Sequence, residues 1–121
     1  MPRASTSPIT AEKRSAQRIP VRLRARYCSD MVNLDGWVEN LSRCGLFLNT
    51  DLLDSEGTTA TVELRLPGVA KPVRMMGEVV RVDLEPGSSG MGIRFHGLNR
   101  AELQLLANFM IERSIQASAD A

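Results

Sequence analysis

A basic cluster near the start of the sequence could bind an anion. Lys13 and Arg14 are adjacent, and Arg18 follows four residues after Arg14. Each arginine presents five N–H donors in a planar fork, which suits bidentate contacts with a phosphate or with the edge of a guanine. Two arginines at this spacing can hold one small anion from two sides. Because short charge runs are also common in solvated tails, a basic tail without a ligand is the alternative.

A second group of polar residues consists of Asn40, Ser42 and Gly45. If these residues continue a strand, the amide of Asn40 and the hydroxyl of Ser42 lie on one face and can hydrogen-bond a polar ligand. Gly45 would let the backbone turn sharply or approach a ligand closely. The alternative is a strand that ends in an Asx- or serine-capped turn, which is the commoner use of such a sequence.

No set of residues in the sequence is typical of catalysis. His96 is the only histidine, and the sequence contains no Ser–His–Asp set, no catalytic carboxylate pair and no phosphate-cradling glycine loop. Cys28 and Cys44 lack CxxC spacing, so free thiols are expected rather than a metal site or a disulfide. We therefore predict a protein that is not an enzyme and that holds neither a metal nor a cofactor.

Charge is distributed unevenly along the 121 residues. The net charge is +1, but residues 1–27 carry seven cationic side chains against one acidic one, and the remaining residues carry a net charge of −5. A basic end on an acidic body indicates an anionic partner, which could be nucleic acid, a membrane surface or a phosphorylated small molecule. The sequence contains no membrane-length apolar run and no signal-peptide core, so a cytoplasmic location without membrane contact is expected.

The hydrophobic pattern predicts six short strands. Apolar residues and arginines alternate over residues 19–28, which is typical of a half-buried strand. Asp35-Gly36 predicts a hairpin, after which Trp37 begins the second strand. Further strands are predicted at residues 46–48, 61–66, 73–82 and 91–95. In the fifth strand, Gly77 and the adjacent Val79-Val80 indicate a bulge or burial on both faces.

One amphipathic helix is predicted after the strands. Asn99 and Glu102 have the spacing of a capping box, and apolar residues then recur at helical spacing as far as about Ser114. Six antiparallel strands and one helix indicate an all-β protein with a C-terminal helix, folded as a closed or nearly closed barrel with a helical lid.

Taken together, the two polar groups resemble the motifs of the PilZ domain. The sequence has RxxxR (Arg14, Arg18), then a first strand and hairpin, and then [D/N]xSxxG (Asn40, Ser42, Gly45). The resemblance covers residues 12–115, with a ligand-clasping arm at 12–20 and the helix at 99–115. Residues 1–11 are expected to be a disordered tail, and residues 116–121 a second tail. The resemblance implies a six-stranded antiparallel barrel that binds the bacterial second messenger cyclic di-GMP.

The resemblance also assigns roles to individual residues. Arg14 and Arg18 would grip the phosphates and contact the guanines, and Lys13 would accompany binding of two stacked ligand molecules. Asn40 and Ser42 would contact a guanine and a nearby phosphate, and Gly45 would admit the ligand. Many family members have Asp in place of Asn40, and a carboxylate accepts both guanine donors whereas an amide also donates.

Three functions remain open at this point. In the first, the chain is a cyclic di-GMP receptor or adaptor that orders its arm on binding and signals to a partner protein, which the sequence does not identify. In the second, it is a basic-armed barrel that binds nucleic acid, although such barrels usually carry more aromatic residues for base stacking. In the third, it is a PilZ-like protein-interaction module that binds no nucleotide.

Overall fold

The computed structural model describes residues 18–120 of the chain, and their side chains as far as residue 113. The predicted tail at residues 1–11, and the predicted arm as far as residue 17, lie outside the described residues. Within the described part, six strands precede one helix. The elements are β1 (Ile19–Cys28), β2 (Asn33–Leu41), β3 (Gly45–Asn49), β4 (Thr59–Leu64), β5 (Val73–Asp83), β6 (Gly90–His96) and α1 (Arg100–Asp120).

The six strands form a closed antiparallel barrel in the order β1-β2-β3-β6-β5-β4, which confirms the predicted fold class. The barrel is closed by β1, which pairs with β2 along one edge and with β4 along the other. The alternation predicted for β1 is confirmed, since Leu23, Ala25 and Tyr27 are buried and the arginines between them are exposed. Aliphatic side chains from all six strands fill the barrel, together with Leu106 and Phe109 of α1.

The hairpin predicted at Asp35-Gly36 is wrong. Both residues lie inside β2, which pairs with β1 on one side and β3 on the other. Gly36 serves close packing rather than a turn, because a Cβ at this position would lie 3.0 Å from both the carbonyl oxygen of Asn49 and Cδ1 of Leu48. The Asp-Gly pair therefore marks a crowded strand position, which the local sequence does not distinguish from a turn.

The turn between β1 and β2 is formed instead by residues 29–32. The Ser29 amide donates to the carbonyl of Val32 at 2.8 Å, and Ser29 Oγ accepts from the amides of Met31 and Val32. Ser29 Oγ also donates to Asp54 Oδ2 at 2.6 Å, and the hydroxyl of buried Tyr27 donates to the same oxygen at 2.7 Å. These bonds tie the β3–β4 loop to the first hairpin.

The Tyr27 contact predicts a loss of stability at alkaline pH. Burial, and then the hydrogen bond to Asp54, raise the pKa of Tyr27 above its ordinary value of 10.0. The folded protein therefore holds this proton more tightly than the unfolded chain does. The stability that protonated Tyr27 contributes is complete below pH 10.0 and is lost as the pH rises toward the folded-state pKa. Tyr27 is the only tyrosine, so tyrosinate absorbance during an alkaline titration reports on it alone.

Tyr27→Phe provides the control for this titration. We expect the variant to be about 1–2 kcal/mol less stable at neutral pH, because Asp54 loses one charge-assisted donor but keeps Ser29. Chemical denaturation should also show a weaker fall in its stability above pH 10.0. Equal alkaline losses in the variant and the unchanged protein would contradict this role of Tyr27.

The bulge predicted in β5 is present. The pairing of β5 with β6 shifts between Val79 and Arg81, so Val80 has no partner in the register. Before the shift, every second residue of β5 points into the barrel, and Val79 is the last of these to be fully buried. Without the extra residue, Arg81 would point inward. The bulge turns it to the outer surface, where Val80 and Arg81 are both exposed.

The capping box of α1 is confirmed. The amide of Glu102 donates to Asn99 Oδ1 at 2.8 Å, and the amide of Asn99 donates to Glu102 Oε1 at 3.2 Å. The helix continues to Asp120 and is longer than predicted. Two of its side chains, Leu106 and Phe109, are buried against the barrel, whereas Leu103 remains 43% exposed. The helix therefore covers the barrel with a narrower stripe than its sequence pattern indicates.

Candidate functional site

The two polar groups predicted to bind a ligand meet where β1 begins and β2 ends. Pro20 of β1 pairs with Asn40 of β2, so the residue before β1 lies beside the end of β2. Arg18 Nη1 donates to Asn40 Oδ1 at 2.7 Å, which joins residues 22 positions apart in the sequence. Lys13 and Arg14 lie outside the described residues. Among the motif positions that the structure describes, the side chains of Arg18 and Asn40 are thus brought into contact.

An open cleft lies beside this contact. It has a volume of about 430 Å³, within the usual range for sites that bind small molecules. Side chains from β2, β3, β5 and the β5–β6 turn form its walls. The lining residues are Arg18, Glu39, Asn40, Phe47, Arg81, Asp83, Glu85 and Ser88. The cleft is mostly polar and carries two guanidinium groups and three carboxylates, so a ligand with both anionic and hydrogen-bond-donating groups fits it.

Arg81 is one of the cleft residues that the sequence analysis missed. Its Nε and Nη2 donate to the two carboxylate oxygens of Asp83 at 3.1 and 2.7 Å. The hydrogen bonds to Asp83 raise the pKa of Arg81, and the same bonds lower the pKa of Asp83. Both groups therefore keep their charges at neutral pH. The bulge at Val80 is the signal that could have found Arg81, because it reverses the face on which Arg81 lies.

Phe47 forms an aromatic part of the cleft. Its neighbours in β3, Leu46 and Leu48, belong to the barrel core, so Phe47 points to the outer surface. It is nevertheless only 7% exposed, and the guanidinium of Arg81 lies 5.8 Å from its ring centroid. An aromatic ring under a guanidinium makes a flat surface on which a base can stack.

Ser42 lies in the turn that follows β2, rather than on a strand face with Asn40. Its side chain is buried, and its Oγ accepts from the amides of Cys44 and Gly45 at 3.1 and 3.2 Å. Its own amide donates to the carbonyl of Gly45 at 2.9 Å. The serine-capped turn left open by the sequence is therefore present. Ser42 holds the β2–β3 connection beside Asn40, and contact with a ligand stays a prediction for this residue.

Gly45 is required by packing within the barrel. A Cβ at this position would lie 2.1 Å from the carbonyl oxygen of Ile93 in β6, and real side chains do not approach a backbone oxygen so closely. Its φ is not in the left-handed region, so a sharp turn does not explain the glycine. A close approach of the backbone to a ligand was expected at Gly45. The close approach that the structure shows there is to the backbone of β6.

His96, Cys28 and Cys44 do not line the cleft. His96 has a partner that the sequence did not reveal, since its Nε2 lies 3.1 Å from Glu78 Oε1 on the outer surface. Cys28 and Cys44 are free thiols, as predicted. Among residues 18–120, no group of histidine, cysteine and acidic side chains could hold a metal ion. Within these residues, no helix is long and apolar enough to span a membrane.

Solved structures with similar folds were found, whereas no curated protein sequence matched the chain. The inhibitor of motility MotI/DgrA from Bacillus subtilis has a TM-score of 0.72 at 17% identity over 84% of this chain and 51% of its own length. The PilZ domain of YcgR from Escherichia coli, solved with c-di-GMP, has a TM-score of 0.66 at 16% identity over 87% of this chain and 95% of that domain. At these identities the likeness concerns the fold.

A third similar structure is the K. pneumonia MrkH–c-di-GMP complex, with a TM-score of 0.72 at 11% identity over 88% of this chain and 54% of MrkH. The chain thus spans about half the length of the Bacillus and Klebsiella proteins. The sequence pattern of the PilZ domain matches residues 12–112, a range that includes the two motifs, all six strands and most of the helix. With this match and a closed six-stranded barrel ending in a helix, the chain belongs to the PilZ domain family.

Proposed function

We propose that this chain is a receptor for cyclic di-GMP and binds it in the cleft beside Arg18 and Asn40. The observation that carries the proposal is the 2.7 Å hydrogen bond between Arg18 and Asn40. It joins one arginine of RxxxR to the first residue of [D/N]xSxxG at the edge of a cleft of suitable size. Two structures of similar fold, the YcgR PilZ domain and MrkH, were solved with c-di-GMP. The proposed role is binding, without catalysis.

The groups in the cleft match the chemistry of this ligand. Cyclic di-GMP has two phosphates, which guanidinium groups bind, and two guanines, whose N–H donors need acceptors. Arg18 supplies the cation at the start of β1, and we propose that Arg14 and Lys13 join it from the preceding residues. Phe47 and Arg81 supply a surface for stacking a guanine.

Carboxylates in the cleft restrict where the phosphates can bind. Glu39 accepts a hydrogen bond from Asn49 Nδ2 at 2.8 Å, and Asp83 is bound by Arg81. Phosphates placed near these groups would be repelled, so we propose that they lie on the Arg18 side. Glu85, the third carboxylate of the cleft, is then available to accept from a guanine, as is Asn40 Oδ1 once Arg18 binds a phosphate.

Isothermal titration calorimetry with cyclic di-GMP tests the proposal. We expect saturable binding that is much stronger than binding of cyclic di-AMP, which has the same charge but lacks the guanine donors. Two ligands per chain are expected if Lys13 has the role implied by the family, and a ratio of one would remove that role. Equal binding of both dinucleotides, or salt-sensitive binding of DNA without saturable cyclic di-GMP binding, would contradict the receptor function.

Substitutions of Asn40 test whether its side chain accepts a hydrogen bond from guanine. Asn40→Asp should keep or strengthen binding, because a carboxylate can accept from both guanine donors. Asn40→Ala should weaken binding by about two- to tenfold, the value of one neutral hydrogen bond. A large loss with Asp and a small one with Ala would mean that the Asn40 amide donates, and calorimetry distinguishes these results.

We also propose that ligand binding completes the ordering of residues 12–20 against the barrel and so signals to a partner protein. Arg18 already contacts Asn40, and a ligand with two phosphates neutralises the repulsion between Arg14 and Arg18, so Arg14 can join Arg18 at the barrel. Amide hydrogen exchange in residues 12–20 and 40–45 should slow when cyclic di-GMP is added. Residues 103–110, which already pack against the barrel through Leu106 and Phe109, should change little. A larger change in the helix than in residues 12–20 would contradict this switch.

A further inference from the structure

We propose that the outer face of β1 and β2 is a docking surface for a short acidic segment of a partner protein. The surface consists of Arg22, Arg24, Trp37 and Arg65, which we name the arginine–tryptophan patch. Trp37 is 38% exposed although it is a large aromatic residue. The guanidinium groups of Arg22 and Arg24 lie 4.4 and 5.1 Å from its ring centroid. Trp37 and these two arginines thus form one exposed stack.

Strand pairing fixes the positions of the patch residues. Arg24 and Trp37 are direct neighbours in the β1–β2 register. The amide of Arg65 donates to the carbonyl of Arg24 at 3.0 Å, which brings the end of β4 to the other side of β1. Arg24 and Arg65 line a groove of about 320 Å³ on this face, and Arg26, Asp35 and Glu63 line the same groove. The backbone of the patch is therefore held by pairing with β2 on one side of β1 and by the residue after β4 on the other.

The arginines of the patch have unused capacity for carboxylates. Within the described part of the chain, Arg22, Arg24 and Arg65 form no ion pair, whereas Arg26 and Arg74 on the same outer surface each do. An unpaired guanidinium offers a planar fork that matches a carboxylate. Tryptophan and arginine are also the residue types enriched where proteins bind one another most strongly. The patch therefore suits a protein segment that carries two or three carboxylates.

The limited extent of the positive charge favours a short acidic segment over a polyanion. Next to Arg24 along the strands is a row of side chains whose charges cancel in pairs. In this row, Arg26 lies 4.0 Å from Asp35, and Arg74 lies 3.9 Å from Glu63. Glu39 follows two residues after Trp37 in β2, at the end of the patch that is opposite to this row. A nucleic acid that continued past the patch in either direction would bring its phosphates against these carboxylates.

Other occupants are disfavoured by charge. Residues 1–17 of this chain contain Arg3, Lys13 and Arg14 against Glu12, so they would be repelled by the patch. A two-fold contact between two copies of the patch would place like charges together. Arg22 in β1 lies four residues after Arg18, or about 13 Å away at strand spacing. A partner segment on the patch would therefore lie next to the proposed cyclic di-GMP site, and this link to signalling rests on the proposed function.

Trp37 is the only tryptophan, so its fluorescence reports binding at the patch directly. The intact chain is titrated with a hexaglutamate peptide, a thymidine hexanucleotide and vesicles containing phosphatidylserine. We expect the peptide to change the fluorescence saturably and to bind more tightly than the other two probes. Arg22→Gln/Arg24→Gln should weaken peptide binding by about fivefold to twentyfold, the product of two surface ion pairs. The matched variant Arg26→Gln/Arg74→Gln removes the same charge from two arginines that already form ion pairs. It should change peptide binding by about twofold or less.

Each result supports or overturns the patch as an acidic-segment site. Equal losses in the two double variants, tighter binding of the nucleotide or the vesicles, or no binding at all would overturn it. Self-association that Arg22→Gln/Arg24→Gln abolishes would assign the surface to a second copy instead. Cyclic di-GMP titrations in the same variants separate this proposal from the receptor function. Arg18→Ala should lose cyclic di-GMP but keep the peptide, and Arg22→Gln/Arg24→Gln should do the reverse.

Discussion

Replacing Arg18 by alanine should weaken cyclic di-GMP binding by about 10- to 150-fold. One charge-assisted hydrogen-bond partner contributes about 1.5–3 kcal/mol, which corresponds to that range of affinities. Arg18 is exposed at the edge of the cleft and is held toward it by Asn40 at 2.7 Å. A phosphate needs only to displace the amide oxygen of Asn40 to reach a guanidinium that is already in position. Titration calorimetry of the variant measures the loss.

Arg22→Ala is the control for this experiment. It removes the same charge four residues further along the chain, within β1, but its guanidinium stacks on Trp37 instead of lining the cleft. We expect its effect on cyclic di-GMP affinity to be small, about twofold, because only long-range attraction is reduced. Comparable losses in the two variants would mean that bulk positive charge attracts the ligand, and the assignment of Arg18 to the site would then be wrong.

The barrel could be predicted from the sequence because burial in its strands follows a simple period. Alternation in β1 and the Asn99–Glu102 capping box each indicate a local structure, and each was confirmed. The Asp35-Gly36 prediction failed because a glycine required by crowding resembles a glycine required by a turn. The end of α1 was missed because residues 114–120 contain no glycine or proline to stop a helix.

The cleft was only partly predictable, since it depends on which distant residues the barrel brings together. Arg18 and Asn40 were identified through the family resemblance, not through any local pattern that links positions 22 residues apart. Arg81 was missed because strict alternation places it inside the barrel, and only the shifted pairing at Val80 turns it outward. Ser42 was ambiguous because the same hydroxyl can cap a turn or bind a ligand, and its burial supports the turn.

The largest expected effect on stability is that of Gly45→Ala. The added methyl group would overlap the carbonyl oxygen of Ile93, 2.1 Å away, and both groups belong to the backbone of paired strands. Neither can rotate aside, so the β3–β6 pairing between Gly45 and Arg94 must shift. We expect a loss of about 3 kcal/mol, at the upper end of the cost of overpacking, and a melting temperature lower by about 10–15 °C.

Gly92→Ala is the matched control, because Gly92 also lies in a strand and is buried. A Cβ at Gly92 would lie 3.2 Å from Cβ of Arg81, so the two paired strands need to separate by only a few tenths of an ångström. Thermal unfolding of Gly92→Ala should therefore differ from that of the unchanged protein by about 1 kcal/mol or less. If Gly45→Ala were as stable as Gly92→Ala but lost cyclic di-GMP binding, admission of the ligand rather than packing against β6 would be the reason for the glycine.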